Sequence, residues 1–264
     1  MSIITISRGS YSRGKEVAEK LARSLNYQCL SREILLEASE RYNIPEIKLV
    51  RAIHDAPSIL ERFTYSKETY VAYIRAALLG QARKDNLVYH GLAGHFLLKG
   101  IPHVLKVRII ADLEDRVKEE MKRENISAKE ARRILLKDDE ERRKWSKNLY
   151  GIDTWDSKLY DLVIIIKCLT VDDAVDTINC VLNGHRFQTT PESQKLVDET
   201  SMAAGIEAAL IQDIPSIKVK AKNAEVFIYL KKDLCGDEEL TSRIKRLAAK
   251  VAGFDIKINC LVRP

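Results

Sequence analysis

The chain has 264 residues, of which 45% are hydrophobic and 31% are charged, and its formal net charge is +6. No apolar run reaches the roughly 18 residues that a bilayer-spanning helix needs, so membrane insertion is not expected. The mild basic excess suits small anionic substrates, and without an RNP-like, zinc-finger or arginine-rich motif it does not indicate a nucleic-acid partner.

The first two dozen residues predict a strand, a glycine-bearing turn and an amphipathic helix. The strand is the apolar run IITI at 3–6, and apolar residues recur at helical spacing after Lys15. Between them, Gly9, Gly14 and Lys15 fit G-x-x-x-x-G-K, a pattern whose backbone amides and helix N-terminus bind nucleotide phosphates. The candidate phosphate-binding residues are Gly9, Ser10, Ser12, Arg13, Gly14, Lys15 and Glu16.

Glu16 follows the lysine of this pattern, and its position leaves two outcomes open. A hydroxyl normally stands here and helps to hold Mg²⁺. The carboxylate can act on Mg²⁺ through water, or it can repel a phosphate at a cost on the order of 1–4 kcal/mol at about 4 Å.

Residues up to 184 predict an α/β fold, because apolar strands alternate with helices. The predicted strands are 86–89, 103–110 and the run LVIIIKC from 162, and the predicted helices fill most of 30–85, with polar breaks at 43–45 and 56–58, then 113–147, broken at 125–127, and 170–183. Strands that are apolar throughout indicate a parallel sheet covered by helices on both faces. Ligands of such sheets bind at the carboxyl ends of the strands, where the phosphate motif lies.

The composition changes at 185–192, a polar segment that contains proline, and we place a domain boundary there. Beyond it the pattern predicts a helix at 191–212, strands at 217–221 and 225–230, a helix at 237–252 and a strand at 255–262. We therefore expect a first domain over 1–186 and a small α+β domain, in the order α-β-β-α-β, over 191–264.

Five dispersed cysteines, without a C-x-x-C pair, argue against a disulfide framework and against a zinc site. The N-terminus has no basic stretch followed by an apolar segment, so no secretory signal is recognised. These features lead us to expect a cytoplasmic protein.

Residues 1 to about 184 resemble the cytidylate-kinase-like branch of the P-loop nucleoside monophosphate kinases. Four segments carry the resemblance in order: ITISRGSYSRGKEVAEKLARSL, VYHGLAG, VRIIADLEDRVKEEMKR and YGIDTWDSKLYDLVI. The resemblance implies a parallel P-loop kinase sheet, a lid over the phosphates, and transfer of the γ-phosphoryl group of ATP to a nucleoside monophosphate with Mg²⁺.

The resemblance also implies roles for particular residues. The loop from Gly9 to Lys15 would hold the ATP phosphates. The lid would be 137–143, with Arg142 and Arg143 acting catalytically with Lys15 on the transferring group. The helices between 28 and 85 would form the acceptor lobe, with Arg32 and Arg75 as its phosphate contacts.

Several positions depart from the family pattern. Aligning the helix instead of the glycines moves the loop by one residue, and the variant G-S-G-G-R-E then matches 12–16, with Tyr11 in place of a glycine. The usual V-G-R turn after the second predicted strand has Leu92 in place of arginine, and Ser31 replaces the usual acidic residue. A protein that only binds nucleotides, acting as a sensor, is therefore the alternative to an enzyme.

Residues 191–262 resemble a BON domain through IEAALIQD, IKVKAKNAEVFIYL and RIKRLAAKVAGFDIKINCLV. Gly253 stands at the usual glycine of that family, whereas Ala224 replaces the usual hairpin glycine. BON modules are binding or assembly units, so the resemblance implies a homo-oligomeric contact or a protein partner through this domain.

His90 and His95 flank the turn at 91–94. Without a carboxylate or cysteine at ligand spacing, we interpret both as hydrogen-bonded structural histidines and predict no metal-ligating residues. Asp112 and Asp138 are oxygen donors that Mg²⁺ could use, although no motif places them there.

Overall fold

A five-stranded parallel sheet organises the first two thirds of the chain in the computed structural model, which describes residues 2–9, 12–54, 67–215, 217–230, 234, 237–252 and 257–262. Its strands are β1 (Ile3–Arg8), β2 (Gln28–Leu30), β3 (Leu87–Tyr89), β4 (Val104–Ala111) and β5 (Leu162–Ile166). Their order across the sheet is β2-β3-β1-β4-β5, and all four pairings are parallel. The predicted fold class is confirmed.

Helices connect the strands, as parallel pairing requires. They are α1 (Gly14–Leu25), α2 (Glu33–Tyr42), α3 (Glu46–His54), α4 (Lys67–Ala82), α5 (Gly94–Leu97), α6 (Leu113–Glu124), α7 (Ala128–Tyr150) and α8 (Val171–Leu182). The predicted break at 125–127 falls between α6 and α7, where Asn125 takes a left-handed conformation and Ser127 caps α7.

Helices cover both faces of the sheet at β1 and β3, which explains why these strands are apolar, whereas Val163 and Ile165 of the edge strand β5 are exposed. Ile4 and Ile6 of β1 pack with α1 and α8, whereas Ile3 belongs to the core on the other face, with α4. The strand β2 was missed from the sequence because its three residues, Gln28–Leu30, are too few to show a pattern.

The C-terminal elements follow the predicted order. They are α9 (Pro191–Leu210), β6 (Lys218–Lys222), β7 (Glu225–Leu230), α10 (Glu238–Ala252) and β8 (Lys257–Val262). In the second sheet β6 pairs antiparallel with β7, and β7 pairs parallel with β8. A capping box between Thr190 and Ser193 begins α9, with Pro191 in its first turn.

The C-terminal elements pack against the first sheet's helices through α9, which contacts α4. A single apolar cluster extends from the sheet through α4 to α9 and α10. Polar contacts add to it: the Gln212 amide donates to the Tyr73 hydroxyl at 2.6 Å, and Arg83 pairs with Asp198 at 2.9 Å.

None of the described helices combines the length and the apolar composition that crossing a membrane requires. Three features predicted above, namely Ser10, the break at 56–58 and Gly253, lie outside the described residues.

Candidate active site

A cleft of about 610 Å³ lies at the carboxyl ends of β1, β2 and β3. A smaller cavity of about 40 Å³ adjoins it, and the two share Ser7, Arg8, Leu92 and Arg142 as lining residues. The carboxyl edge of a parallel sheet is where ligands of such folds bind.

The loop between β1 and α1 is closed by Ser12. Its backbone amide and its hydroxyl both donate to the Gly9 carbonyl, at 3.4 Å and 3.1 Å. Arg13 follows with φ 59°, a left-handed conformation that costs a non-glycine residue about 1 kcal/mol. A Cβ on Gly14 would lie only 2.6 Å from the Arg8 Cβ, so the loop and β1 approach too closely for any side chain there.

The N-terminus of α1 faces this loop without a capping side chain. Arg13, at the N-cap, makes no side-chain hydrogen bond to the first-turn amides, which have no acceptor within the helix. Lys15 lies in the same turn, is exposed, and is 3.6 Å from Glu19. Free amides at a helix N-terminus together with a lysine suit an anion.

Glu16 is turned to the surface and paired with Arg13. The Arg13 Nε and Nη2 atoms each lie 2.9 Å from a carboxylate oxygen of Glu16, and this hydrogen bond raises the pKa of Arg13. The guanidinium of Arg13 therefore offsets part of the negative charge that Glu16 would present to a phosphate.

Arg142 reaches into the cleft from α7. Its Nη1 donates to the Arg8 carbonyl at 3.3 Å and lies 4.0 Å from Asp139. Burial lowers the pKa of its guanidinium, and Asp139 opposes that shift. A cation removed from water in this way binds an incoming anion more strongly than an exposed one.

Arg116 of α6 pairs with Asp139, the same carboxylate that lies beside Arg142. It makes a bidentate pair with Asp139, at 2.8 and 3.1 Å, and its guanidinium lies 3.5 Å from where a Cβ on Gly9 would stand. Sequence reasoning missed both Arg8 and Arg116. Arg8 lies at the end of β1 and Arg116 lies in the segment LEDRVKEEM. Both positions fall within the motifs that carry the resemblance, and this was the sequence feature that could have identified them.

The side chain of Arg143 lies against Asp153 and Trp155. It is half-buried, and its Nη2 donates to a carboxylate oxygen of Asp153 at 2.8 Å. Its guanidinium lies 4.5 Å from the centre of the Trp155 ring. Those contacts hold the pKa of the Asp153 carboxyl well below its usual range. Arg143 lines neither cavity, so the structure separates it from Arg142.

The two arginines expected to contact the acceptor also differ. Arg32, at the N-cap of α2, lines the larger cleft and pairs with Glu46 at 2.6 and 2.8 Å. Arg75 donates to the Leu97 carbonyl at 3.4 Å and lines neither cavity. The cleft therefore brings together Arg8, Arg32 and Arg142, while Lys15 stands on the loop beside it.

The interpretation as hydrogen-bonded histidines is wrong for His95, and for His90 it is contradicted at one ring nitrogen. Both are buried, yet His90 Nδ1 and both ring nitrogens of His95 lack a hydrogen-bond partner. Burial lowers the pKa of each, to about 3 for His95. His95 packs instead through its ring face, against Phe96 and Tyr160.

The two carboxylates considered as Mg²⁺ ligands, those of Asp112 and Asp138, have different surroundings. Asp112 caps α6, accepting from the Glu114 amide, and lies 3.5 Å from Lys167. Asp138 is half-buried on α7. No group of three or more histidine, cysteine or carboxylate side chains suited to a metal occurs in the part of the chain that the structure describes.

Comparison with known proteins gives relatives of one kind. A model of the cytidylate kinase-like family matches residues 3–167. Cytidylate kinase from Ignicoccus hospitalis is 26% identical over 183 residues, covering 69% of this chain and 99% of that protein. Cytidylate kinase from Methanosarcina acetivorans is 40% identical over 84 residues, 31% of this chain, and the match spans 46% of that protein, less than half its length.

Among solved structures, an uncharacterized protein from Eubacterium ventriosum has a similar fold, with a TM-score of 0.54 and 22% identity. The match covers 70% of this chain and all of that protein.

Proposed function

The chain belongs to the cytidylate kinase-like family, and from that premise we propose that it transfers the γ-phosphoryl group of ATP to a nucleoside monophosphate, with CMP as the acceptor. The observation that carries the proposal is the half-buried Arg142, which lines both cavities at the carboxyl end of β1.

The donor phosphates fit the loop between β1 and α1. Gly14 leaves no room for a side chain, and the uncapped amides of α1 remain available to oxygen atoms. Lys15 would add a positive charge from the first turn. The candidate residues Gly9, Ser12, Arg13 and Glu16 shape this loop, and only Lys15 is proposed to act directly on the phosphates.

The acceptor fits the larger cleft. Arg32 lies at its wall with its guanidinium engaged by Glu46, so an incoming phosphate would compete with that carboxylate. Apolar side chains of α2 and α3, including Leu35, Ile47 and Val50, complete a wall suited to a base.

Phosphoryl transfer requires positioning and charge more than covalent chemistry from the protein. An acceptor phosphate oxygen attacks the γ-phosphorus of ATP as the bond to the β–γ bridging oxygen breaks, which yields two nucleoside diphosphates. Arg142, fixed by Asp139 and the Arg8 carbonyl, would stabilise the charge that spreads over the transferred group.

Mg²⁺ is compatible with the residues present. Such sites use one or two carboxylates together with substrate phosphates and water, and Asp138, whose charge acts on Arg142, is the candidate carboxylate. Bound there, the ion would neutralise phosphate charge and orient the donor.

A nucleotide sensor is the second candidate, and one observation favours it. Leu92 lines both cavities where the family's turn carries an arginine, so this chain has one cation fewer facing the phosphates. A sensor would bind ATP without turning it over.

Lys15→Ala tests the proposal, with Lys20→Ala as control, because Lys20 lies on the same helix and pairs with Asp172. ADP formation is measured with CMP, dCMP, UMP and AMP, and ATP binding by calorimetry. We expect turnover with CMP that Lys15→Ala abolishes and Lys20→Ala keeps. Binding without turnover in the unmodified chain would support the sensor, and no ATP binding would refute both.

A further inference from the structure

The small sheet of β6, β7 and β8 packs one face on helices, and no described helix joins the core cluster from its other face. Its buried residues Val219, Val226, Ile228 and Leu230 join the core that contains α9 and α10. Because side chains alternate along a strand, the residues between them lie on the opposite side, which we call the outer face. The outer face carries Lys218, Lys220 and Lys222 on β6, Glu225, Phe227 and Tyr229 on β7, and Asn259 and Leu261 on β8.

The lysines form a row along β6, at one edge of this sheet. All three are exposed, and because every second residue of a strand advances about 6.6 Å, their Cα atoms repeat at that interval. Such a regular row of cations complements a chain of regularly spaced negative charges.

Two aromatic rings stand beside the lysine row on the central strand. Phe227 pairs in register with Lys220, and Tyr229 with Lys218. Both rings are half-buried, and Lys220 Nζ lies 5.6 Å from the centre of the Tyr229 ring. Neighbouring rings on an open sheet provide surfaces on which planar groups stack.

The far side of the outer face, on β8, carries the polar Asn259 and the exposed Leu261. The Asn259 amide donates to Glu225 at 3.2 Å, and Glu225 stands opposite Lys222 in register. This acidic residue lies at the hairpin end of the row. A side-chain amide can in turn donate to or accept from a base edge.

We propose that the outer face binds single-stranded nucleic acid, with bases stacked on Phe227 and Tyr229 and the phosphate backbone along the three lysines. The charge complementarity of the row and the position of the rings beside it favour this ligand over an anionic membrane, which would require inserted apolar side chains. The sequence did not indicate it because the lysines and rings lie on different strands, and only the register brings them together.

Binding of labelled oligouridylate to the full chain, followed by fluorescence anisotropy, tests the proposal. A triple Lys→Gln variant at 218, 220 and 222 removes the row. The matched control replaces Lys245, Arg246 and Lys250 with Gln, since these are exposed on α10 in the same part of the chain. Three phosphate contacts predict a slope near −2 for the logarithm of affinity against the logarithm of salt. That slope should be lost in the row variant and kept in the control.

Phe227→Leu and Tyr229→Leu test the stacking, because leucine keeps an apolar side chain and removes the ring. Each is expected to weaken binding roughly 5-fold to 100-fold, with the melting temperature showing that the fold is kept. Absence of binding at low salt would overturn the proposal. The lysines would then be explained as charges that keep an edge strand from pairing with another chain. Equal loss in the control variant, leucine variants that bind as tightly as the unmodified chain, or equal affinity for duplex RNA or phosphatidylglycerol vesicles would also overturn it.

Discussion

Arg142 and Arg143 are neighbours in α7, but they contact different parts of the molecule. Arg142 is fixed against the Arg8 carbonyl inside the cleft, whereas Arg143 is held at the surface by Asp153. We expect Arg142→Ala to lower kcat about 100-fold to 1,000-fold, with a much smaller effect on ATP affinity, because its charge acts on the transferring group. Arg143→Ala removes the same charge from the next position and should change kcat less than about 10-fold. Steady-state kinetics of both variants measure this, and equal losses would contradict the assignment.

His95 gives the protein a stability that depends on pH. Burial lowers its pKa to about 3, whereas a histidine of the unfolded chain titrates near 6.5. Between these values the unfolded state binds a proton that the folded state does not. The free energy of unfolding therefore falls as the pH drops below 6.5, by about 1.4 kcal/mol per pH unit for this one group.

Urea unfolding between about pH 6.5 and pH 4 measures this dependence. His95→Gln should make it shallower by up to about 1.4 kcal/mol per pH unit, while the remaining slope reflects His90 and His103, whose pKa values burial also lowers. The pKa of Asp153 lies below its ordinary 3.8. Protonation of Asp153 therefore lowers the free energy of unfolding only below this pH range. The same slope in His95→Gln and in the unmodified chain would show that folding does not lower the pKa of His95.

At the scale of elements, the turn from β1 into α1 depends on one glycine. A Cβ on Gly14 would lie 2.6 Å from the Arg8 Cβ, whereas a Cβ on Gly80, inside α4, would meet nothing within 4 Å. We expect Gly14→Ala to destabilise the fold by about 1–3 kcal/mol and to weaken ATP binding. Gly80→Ala should stabilise it by about 0.5–1 kcal/mol, because alanine favours a helix interior. Urea unfolding measures both variants. The prediction is that the free energy of unfolding falls in Gly14→Ala and rises in Gly80→Ala.

The long elements were predictable from the sequence because their patterns are strong. Each apolar strand stood out, including β5, although Val163 and Ile165 leave one of its faces exposed. The helix α9, which begins at Thr190–Pro191, stood out as well. The site was predictable only in part, since pattern places Lys15 on its loop but says nothing of where a long side chain ends. Arg75 and Arg143 are held by partners, the Leu97 carbonyl and Asp153, that only the folded chain brings near them.

At the scale of the whole molecule, the two sheets share one apolar cluster through α4 and α9. Ile206 of α9 is fully buried in it, so Ile206→Ala should cost about 2–5 kcal/mol. Both tryptophans of the chain, Trp145 and Trp155, lie before α9. We expect their fluorescence to report that loss during urea unfolding, because the first sheet should unfold together with α9.

Leu196→Ala is the control for this measurement, since Leu196 lies on the same helix with 37% of its surface exposed. Its effect should stay within about 0.5 kcal/mol. If Ile206→Ala left the tryptophan transition unchanged, the two parts of the chain would unfold independently.

The indole of Trp145 ties α7 to α3, since its Nε1 donates to the Ala52 carbonyl at 2.5 Å. One of these helices carries Arg142 and the other lines the larger cleft with Glu46, Ile47 and Val50. This hydrogen bond joins the two walls of the cleft. If a ligand in the larger cleft drew one wall inward, this hydrogen bond would couple the other wall to the movement.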